Sequence, residues 1–237
     1  MDSEIVIHVR GTPASGKTTL SLLLKDYYLK NNRKVFLIDV WKPLENFHGK
    51  NAWDNFALSL QQRYPKHSSK DFFASKTVII IDEAQASYTD EAFWNTIIKK
   101  RRSNEGKDIR LCLFCSYGNP LTGLDTNYLR FTPVTFGPAQ RITLTPQPQK
   151  GSPQIGLFYT RDEFNEAVSR LATHNYQEMF ALDEEAQSYI FTVTNGHPGG
   201  VKSILSFVFD VGAILTQGAR DRFRLAYAAN FGLGPSP

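Results

Sequence analysis

The feature that most constrains the fold of this chain is the stretch IVIHVRGTPASGKTTLSLLL, which runs from Ile5 to Leu24. Its first residues are mostly β-branched, as in a strand that is buried on both faces of a sheet. Its last residues are rich in leucine and predict a helix with a broad apolar face. The residues between them are glycine, proline and small polar types. The stretch therefore predicts a strand, a sharp loop and a helix.

The loop matches the pattern Gly-x-x-x-x-Gly-Lys-Thr. Gly11 and Gly16 can take positive φ, so backbone N–H groups can turn inward around an anion, and the following helix adds its positive dipole end. Lys17 is expected to reach the outer phosphates of a nucleoside triphosphate, and the Thr18 hydroxyl to bind Mg²⁺. A turn that needs glycine only for its shape is the alternative, but it does not explain the flanking strand and helix. The predicted nucleotide-binding residues are Gly11, Thr12, Pro13, Ala14, Ser15, Gly16, Lys17, Thr18 and Thr19.

Strands and helices alternate after this loop. RKVFLIDVW, KTVIIIDEAQ, DIRLCLFCS and AQRITLTP predict four more strands, with helices that begin near Asn51 and at a Thr89 or Asp90 cap. Strands apolar enough to be buried on both faces predict a three-layer α/β fold with a parallel sheet between helices. Cys112 and Cys115 are three residues apart in one strand, so they should point to opposite faces and be core thiols.

The segment PQPQKGSP, residues 146–153, indicates a domain boundary because it has no periodicity and is rich in proline. Residues 1–146 are expected to form the P-loop NTPase core. Residues 154–230 contain three helical patterns and are expected to form a small C-terminal helical lid.

Acidic side chains follow the predicted third strand directly. Asp82 is placed to hold Mg²⁺ opposite Thr18, because the carboxyl ends of parallel strands lie at one sheet edge. Glu83 could activate a water for attack on the γ-phosphate. Ser116, after the fourth strand, is the candidate for a polar side chain between the γ-phosphate and that water, and Asn119 is a second candidate. Solvated turns at the ends of strands are the alternative explanation for these residues.

These motifs together resemble the AAA-related and STAND-type P-loop ATPases. GTPASGKT, IIIDEAQ, a polar residue after the next strand and GHPGG in a helical C-terminal segment carry the resemblance. It implies that Gly196, His197 and Pro198 approach the nucleotide base and that Lys202 reaches the phosphates. A helix C-cap followed by a proline-started helix explains the same residues. Three segments, RGTPASGKTTL, LLKDYYLK and VFLIDVW, are also similar in sequence to the P-loop domain of Crinkler-type proteins of fungi and oomycetes.

Composition agrees with a soluble globular protein. The 237 residues are 41% hydrophobic and 21% charged, with a net charge of +4, which permits contact with nucleic acid without requiring it. No apolar run is long enough to span a membrane, and MDSEIVIHVR has no signal-peptide core. The expected location is cytoplasmic, with the nucleus left open. Lys99 to Arg102, KKRR, fits a helix C-terminus, a basic patch or an arginine finger at a neighbouring subunit.

The sequence thus predicts Mg²⁺-dependent binding and hydrolysis of ATP by a single P-loop core, in a switch or an assembly machine. A small-molecule or nucleotide kinase and a nucleotide-gated module with negligible turnover remain open. A helicase fragment is disfavoured, because a helicase motor needs two such cores. ATP and ADP are the expected ligands, with a homo-oligomer and nucleic acid left open as partners.

Overall fold

The computed structural model describes residues 5–44, 51–102, 109–116, 134–176, 182–208 and 210. By its internal contacts the chain divides into two compact units, Met1–Leu157 and Phe158–Pro237. The predicted extents of a core over 1–146 and a lid over 154–230 stay predictions. No helix among the described residues is long and apolar enough to cross a membrane.

The first unit is built on five parallel strands. They are β1 (Val6–Arg10), β2 (Val35–Ile38), β3 (Thr77–Ile81), β4 (Ile109–Cys115) and β5 (Arg141–Ile142). Their order in the sheet is β2-β3-β4-β1-β5, so β4 lies between β1 and β3. Cys112 of β4 is in register with Ile7 on one side and with Ile80 on the other. The predicted parallel α/β sheet is confirmed.

Helical segments connect the strands. They are α1 (Lys17–Lys30), α2 (Ala52–Arg63), the short α3 (Ser69–Phe72), a π-helical turn at Phe93–Ile98 and α4 (Lys99–Arg102). The side chain of Asn51 caps α2 by accepting from the N–H groups of Trp53 and Asp54. Asp90 caps the next helical segment, because its Oδ1 accepts from the N–H of Phe93 at 3.0 Å, and its Oδ2 accepts from the N–H of Leu44 at 2.8 Å.

The sequence pattern did not predict the π-helical turn within what looked like one regular helix. Four large side chains of this turn are fully buried, namely Phe93, Trp94, Ile97 and Ile98. The wider turn buries two pairs of neighbouring large side chains, and the indole N–H of Trp94 donates to the carbonyl oxygen of Ser87 at 2.8 Å.

Apolar side chains cover both faces of the sheet. One cluster packs α1 against the sheet through Tyr28 and includes Cys112. The other packs α2 and the π-helical turn on the opposite face and includes Cys115. The two cysteines are free and buried, and burial raises the pKa of each thiol to about 12. The prediction that they face opposite sides of the sheet is confirmed.

The second unit is helical. It contains α5 (Arg161–Tyr176), α6 (Glu184–Thr194) and a further helical segment over 198–208. Its core comprises Phe164, Val168, Ile190, Val201 and Leu205. Asp183 caps α6, since its carboxylate accepts from the N–H of Ala186 at 2.7 Å. The three helical patterns predicted for this part of the chain are present.

Candidate nucleotide-binding site

The glycine-rich loop joins β1 to α1 at the carboxyl edge of the sheet. Its first N–H, from Gly11, donates to the carbonyl oxygen of Cys115 at the end of β4 over 3.1 Å. Positive φ occurs at Gly16, 86°, and at Ala14, 58°. Gly16 confirms the expected left-handed backbone, whereas Gly11 does not have a positive φ and the alanine takes one instead.

Gly11 is required for a different reason. A Cβ at this position would lie 2.3 Å from Cδ1 of Leu157 and 2.4 Å from Oγ of Ser15. The loop therefore turns so tightly that only a residue without a side chain leaves room for these neighbours. Ser15 is itself buried, and its Oγ has no hydrogen-bond partner in the described part of the chain.

The N-terminus of α1 supplies backbone donors. Gly16 is the N-cap and offers no side-chain cap. Leu20 is the residue whose N–H donates back to the Gly16 carbonyl oxygen, at 2.8 Å. The N–H groups of the first turn, at Lys17, Thr18 and Thr19, have no acceptor within the helix. Together with the helix dipole they favour an anion at this point.

Lys17 is the first residue of α1 and is buried. Its Nζ donates to the carbonyl oxygens of Gly11 at 3.1 Å and of Thr12 at 2.7 Å. An ammonium group has three donors, so one remains for an anionic oxygen. Burial lowers the pKa of Lys17, and the carboxylates of Glu83 and Asp82 act in the opposite direction. Lys17 therefore lies in the electrostatic field of both acids.

Asp82 and Glu83 follow β3 as predicted. The N–H of Asp82 donates to the carbonyl oxygen of Ile38 at 2.8 Å, which continues the pairing of β3 with β2. Asp82 is buried, and its Oδ1 accepts from the N–H of Glu83 at 3.1 Å. Glu83 is exposed and has left-handed backbone dihedrals, φ 49° and ψ 39°. The chain therefore turns sharply just after the strand and separates the directions of the two acids.

Ser116 follows β4 and contacts Glu83. Its Oγ donates to Glu83 Oε2 at 3.0 Å, and its N–H donates to Oε1 of Gln85 at 3.0 Å. The Nε2 of Gln85 in turn donates to Glu83 Oε2. The structure thus brings Ser116 and Glu83 together. Sequence reasoning missed Gln85, although the amide in DEAQ was a visible polar residue beside the two acids.

The residues predicted to hold Mg²⁺ fit that ion. Mg²⁺ in proteins takes oxygen ligands and is held by one or two carboxylates together with substrate phosphates. Asp82 offers a carboxylate whose Oδ2 has no donor among the described residues, and Thr18 offers an exposed hydroxyl at the start of α1. Within the described residues no group of three or more His, Cys, Asp or Glu forms a metal cluster.

The GHPGG motif lies in the second unit. Asn195 and Gly196 both have positive φ, and the helical segment 198–208 begins at Pro198. His197 caps this segment, since its Nδ1 accepts from the N–H of Gly200 at 3.0 Å. This arrangement is the C-cap followed by a proline-started helix that the sequence allowed. Contact of Pro198 with the base, and of Lys202 with phosphate, stays a prediction.

Three further candidate side chains are not part of the described structure. Asn119 is not described, and neither are the side chains of Arg101 and Arg102 at the end of α4. The KKRR segment is helical, as predicted. The three interpretations of this segment, as cations that favour a helix C-terminus, as a basic patch and as an arginine finger, stay predictions.

No protein-family model and no curated protein matches this sequence. Among solved structures, the chain is similar to DnaA from Aquifex aeolicus bound to AMPPCP, with 14% identity over 95% of this chain and 62% of that chain and a TM-score of 0.44. It is also similar to a RuvB variant from Thermotoga maritima, with 16% identity over 91% of this chain and 58% of that chain and a TM-score of 0.48. The chain thus spans less than two thirds of either protein.

The chain's own topology assigns the fold class. A parallel sheet has helices on both faces, β4 is inserted between β1 and β3, and a glycine loop joins β1 to the N-terminus of α1. The fold is that of the P-loop NTPases.

Proposed function

We propose that this protein binds ATP together with Mg²⁺ and hydrolyses it. The observation that carries the proposal is that the glycine loop and the acids after β3 both meet the end of β4 at the carboxyl edge of the sheet. The Gly11 N–H donates to the carbonyl oxygen of Cys115, and the hydroxyl of Ser116, the next residue, donates to Glu83. Lys17 and the N–H groups of the first turn of α1 follow the same loop. A cation and helix N–H groups suit the phosphates, and two acids that lie next to them suit a metal ion and a proton acceptor.

Each residue has a distinct role in this proposal. The loop N–H groups bind the β- and γ-phosphates, and Lys17 neutralises part of their charge. Mg²⁺, held by Thr18 and Asp82, would supply further neutralisation of the phosphate oxygens. Glu83 accepts a proton from the attacking water, and Ser116 helps to orient that water. The exposure of Glu83 supports this role, because a water can reach its carboxylate.

A steady-state ATPase assay tests the proposal. The wild-type chain should release phosphate from Mg-ATP without an added acceptor. Glu83→Gln should keep Mg-ATP bound while its turnover falls by roughly 10²-fold or more, the usual scale for a positioned base. Glu91→Gln is the matched control, since Glu91 is exposed and eight residues along the same connection, and it should turn over normally. Normal hydrolysis by Glu83→Gln would place the base elsewhere.

The same assay separates the other enzyme classes. Phosphate transfer to a small molecule or nucleotide, with little release of free phosphate, would indicate a kinase. Tight ATP binding with negligible turnover would indicate a nucleotide-gated module. The lysine, the acids and the helix N–H groups would suit an ATPase, a kinase and a nucleotide-gated module equally well. The exposed Glu83, held beside Ser116, favours hydrolysis.

The finer parts of the function are proposals that rest on the sequence, some of them on the resemblance and others on charge and composition. They include the STAND and Crinkler-type relationship, a switch or assembly role, a homo-oligomer, contact with nucleic acid, and a cytoplasmic or nuclear location. The helical second unit is proposed to act as a lid in which Pro198 approaches the base. Replacement by Pro198→Ala should then reduce the preference for ATP over GTP more than it reduces triphosphate affinity.

A further inference from the structure

Gln85 joins the ends of two neighbouring strands through its side-chain amide. It lies in the 3₁₀ turn Ala84–Ser87, which follows β3. The Nε2 of Gln85 donates to Glu83 Oε2, and its Oε1 accepts from the N–H of Ser116 at 3.0 Å. Both polar atoms of the amide are therefore used, one on the acid after β3 and one on the residue after β4.

This bridge treats the two oxygens of Glu83 differently. Oε2 accepts from the Gln85 amide and also from the Ser116 hydroxyl at 3.0 Å. No described residue donates to Oε1. Two neutral donors hold the carboxylate through Oε2, and Oε1 is the oxygen that is left for a further hydrogen bond.

Glu83 combines an unusual backbone conformation with an exposed side chain. Its left-handed dihedrals are uncommon for a residue with a long side chain. The side chain is also exposed, so without the two donors it would sample several rotamers. A base that samples several rotamers spends less time in hydrogen-bond reach of a water.

We propose that Gln85 is a positioning residue for ATP hydrolysis, which holds Glu83 through Oε2 and leaves Oε1 to accept the proton. The inference rests on the proposed function, because it assigns a helper to the base named there. Gln85 does not contact the nucleotide in this proposal. Its removal should lower kcat and leave ATP affinity unchanged.

The substitution Gln85→Met tests this, because methionine has similar length and no amide. We expect kcat to fall about tenfold or more, since hydrogen bonds to charged groups are among the stronger ones. The dissociation constant for ATP, measured by calorimetry without Mg²⁺, should stay within about twofold of the wild type. Gln61→Met on α2 is the control, because Gln61 is exposed, and it should change neither quantity.

Gln85→Glu is the second variant and covers the case in which methionine impairs folding. It keeps the size and polarity of the side chain but places a negative charge beside Glu83 in place of a donor. We expect its kcat to fall at least as far as that of Gln85→Met. Wild-type kcat in either folded variant would overturn the inference.

A double substitution separates positioning from a general structural effect. If Gln85 acts through the base, Gln85→Met should cause no further loss of rate in a Glu83→Gln background. A further loss there would show a structural role and overturn the inference. If Gln85→Met is fully active while Glu83→Gln is inactive, the inference about Gln85 is overturned and the proposed ATPase function stands. Full activity of both variants would overturn the proposed function together with it.

Discussion

The ammonium group of Lys17 donates to the carbonyl oxygen of Thr12 over 2.7 Å, so the lysine predicted to bind phosphate also bridges its own loop. A second bond, to the carbonyl oxygen of Gly11, lies at 3.1 Å. The side chain therefore holds the first residues of the loop against the start of α1. Its removal should affect the shape of the loop as well as the charge presented to a ligand.

For this reason Lys17→Ala should weaken ATP affinity at least tenfold, about 1.4 kcal/mol. The sheet should remain folded, because both hydrogen bonds of the Lys17 side chain are made to carbonyl oxygens of the loop and none to a strand. Calorimetry gives the affinity and far-ultraviolet circular dichroism confirms the fold. Lys30→Ala, at the exposed end of α1, is the control and should bind ATP normally. Unchanged binding by Lys17→Ala would contradict the phosphate-loop assignment.

Asp82→Asn should mainly alter the dependence on Mg²⁺. The amide keeps the size of the side chain but removes the charge that attracts the ion, so the Mg²⁺ concentration for half-maximal hydrolysis should rise about tenfold or more. A magnesium titration of the ATPase rate measures this. Asp54→Asn, on the exposed side of α2, should leave the titration unchanged. An identical titration for Asp82→Asn and the wild type would remove Asp82 from the metal site.

His8 should make the protein less stable in acid. It is buried on β1, its ring stacks on Phe136 with centroids 4.6 Å apart, and its Nε2 has no partner among the described residues. Burial, with the charges of Arg10 and Arg141, lowers the pKa of His8 from 6.5 to about 3. Above pH 6.5 both the folded and the unfolded chain leave it neutral. Between pH 6.5 and about 3 only the unfolded chain takes up the proton, so the free energy of unfolding falls as the pH falls.

The test is the pH dependence of denaturant unfolding for the wild type and for His8→Leu. Between pH 6 and 4 the wild type should lose about 1.4 kcal/mol per pH unit more than the variant does, the slope for one proton. Parallel curves for the two proteins would mean that His8 is protonated in the folded state as readily as in the unfolded one.

Two glycines with positive φ should respond differently to alanine. At Gly196, φ is 73° and a Cβ would lie 2.3 Å from the backbone oxygen of Tyr159. At Gly16, φ is 86° but a Cβ would meet no atom within 4 Å. Gly16→Ala should therefore cost only the strain of left-handed backbone, about 1–2 kcal/mol. Gly196→Ala adds a backbone clash and should lower the midpoint of denaturant unfolding further. Equal shifts for the two variants would contradict this geometry.

His197 should act as a helix cap. His197→Ala removes the acceptor for the Gly200 N–H and should destabilise the second unit by about 1 kcal/mol, the usual scale for an N-cap. His197→Asn provides another acceptor and should recover most of that loss. Hydrogen exchange at the Gly200 amide is the direct measurement. Equal exchange in the alanine and asparagine variants would exclude a capping role.

Local patterns were sufficient to predict the elements that position the site. Buried β-branched runs predicted β1 and β3. An amphipathic pattern from about Asn51 and a cap at Thr89 or Asp90 predicted two helix starts, because each signal lies within a few residues of its effect. The position of the acids after β3 could also be predicted, because the carboxyl ends of parallel strands lie at one edge of a sheet.

The contacts that the sequence did not predict join residues that are distant along the chain. The role of Gln85 depends on Ser116, which follows another strand, and Gly11 depends on Leu157. The wide turn at Phe93–Ile98 depends on how its side chains pack on the sheet, a tertiary effect that helical spacing does not encode.

The place of β4 in the sheet also sets the order in which the chain can fold. Val6 of β1 pairs with Leu111 of β4, and Val78 of β3 pairs with Arg110 of the same strand. During synthesis, β1 and β3 therefore leave the ribosome before β4 has been made. The edges of β1 and β3 that pair with β4 stay unpaired until then. Such late, non-local pairing slows folding and leaves strand edges exposed to other chains. We expect nascent chains that end before residue 109 to need a chaperone, and chains released beyond residue 115 to become independent of it.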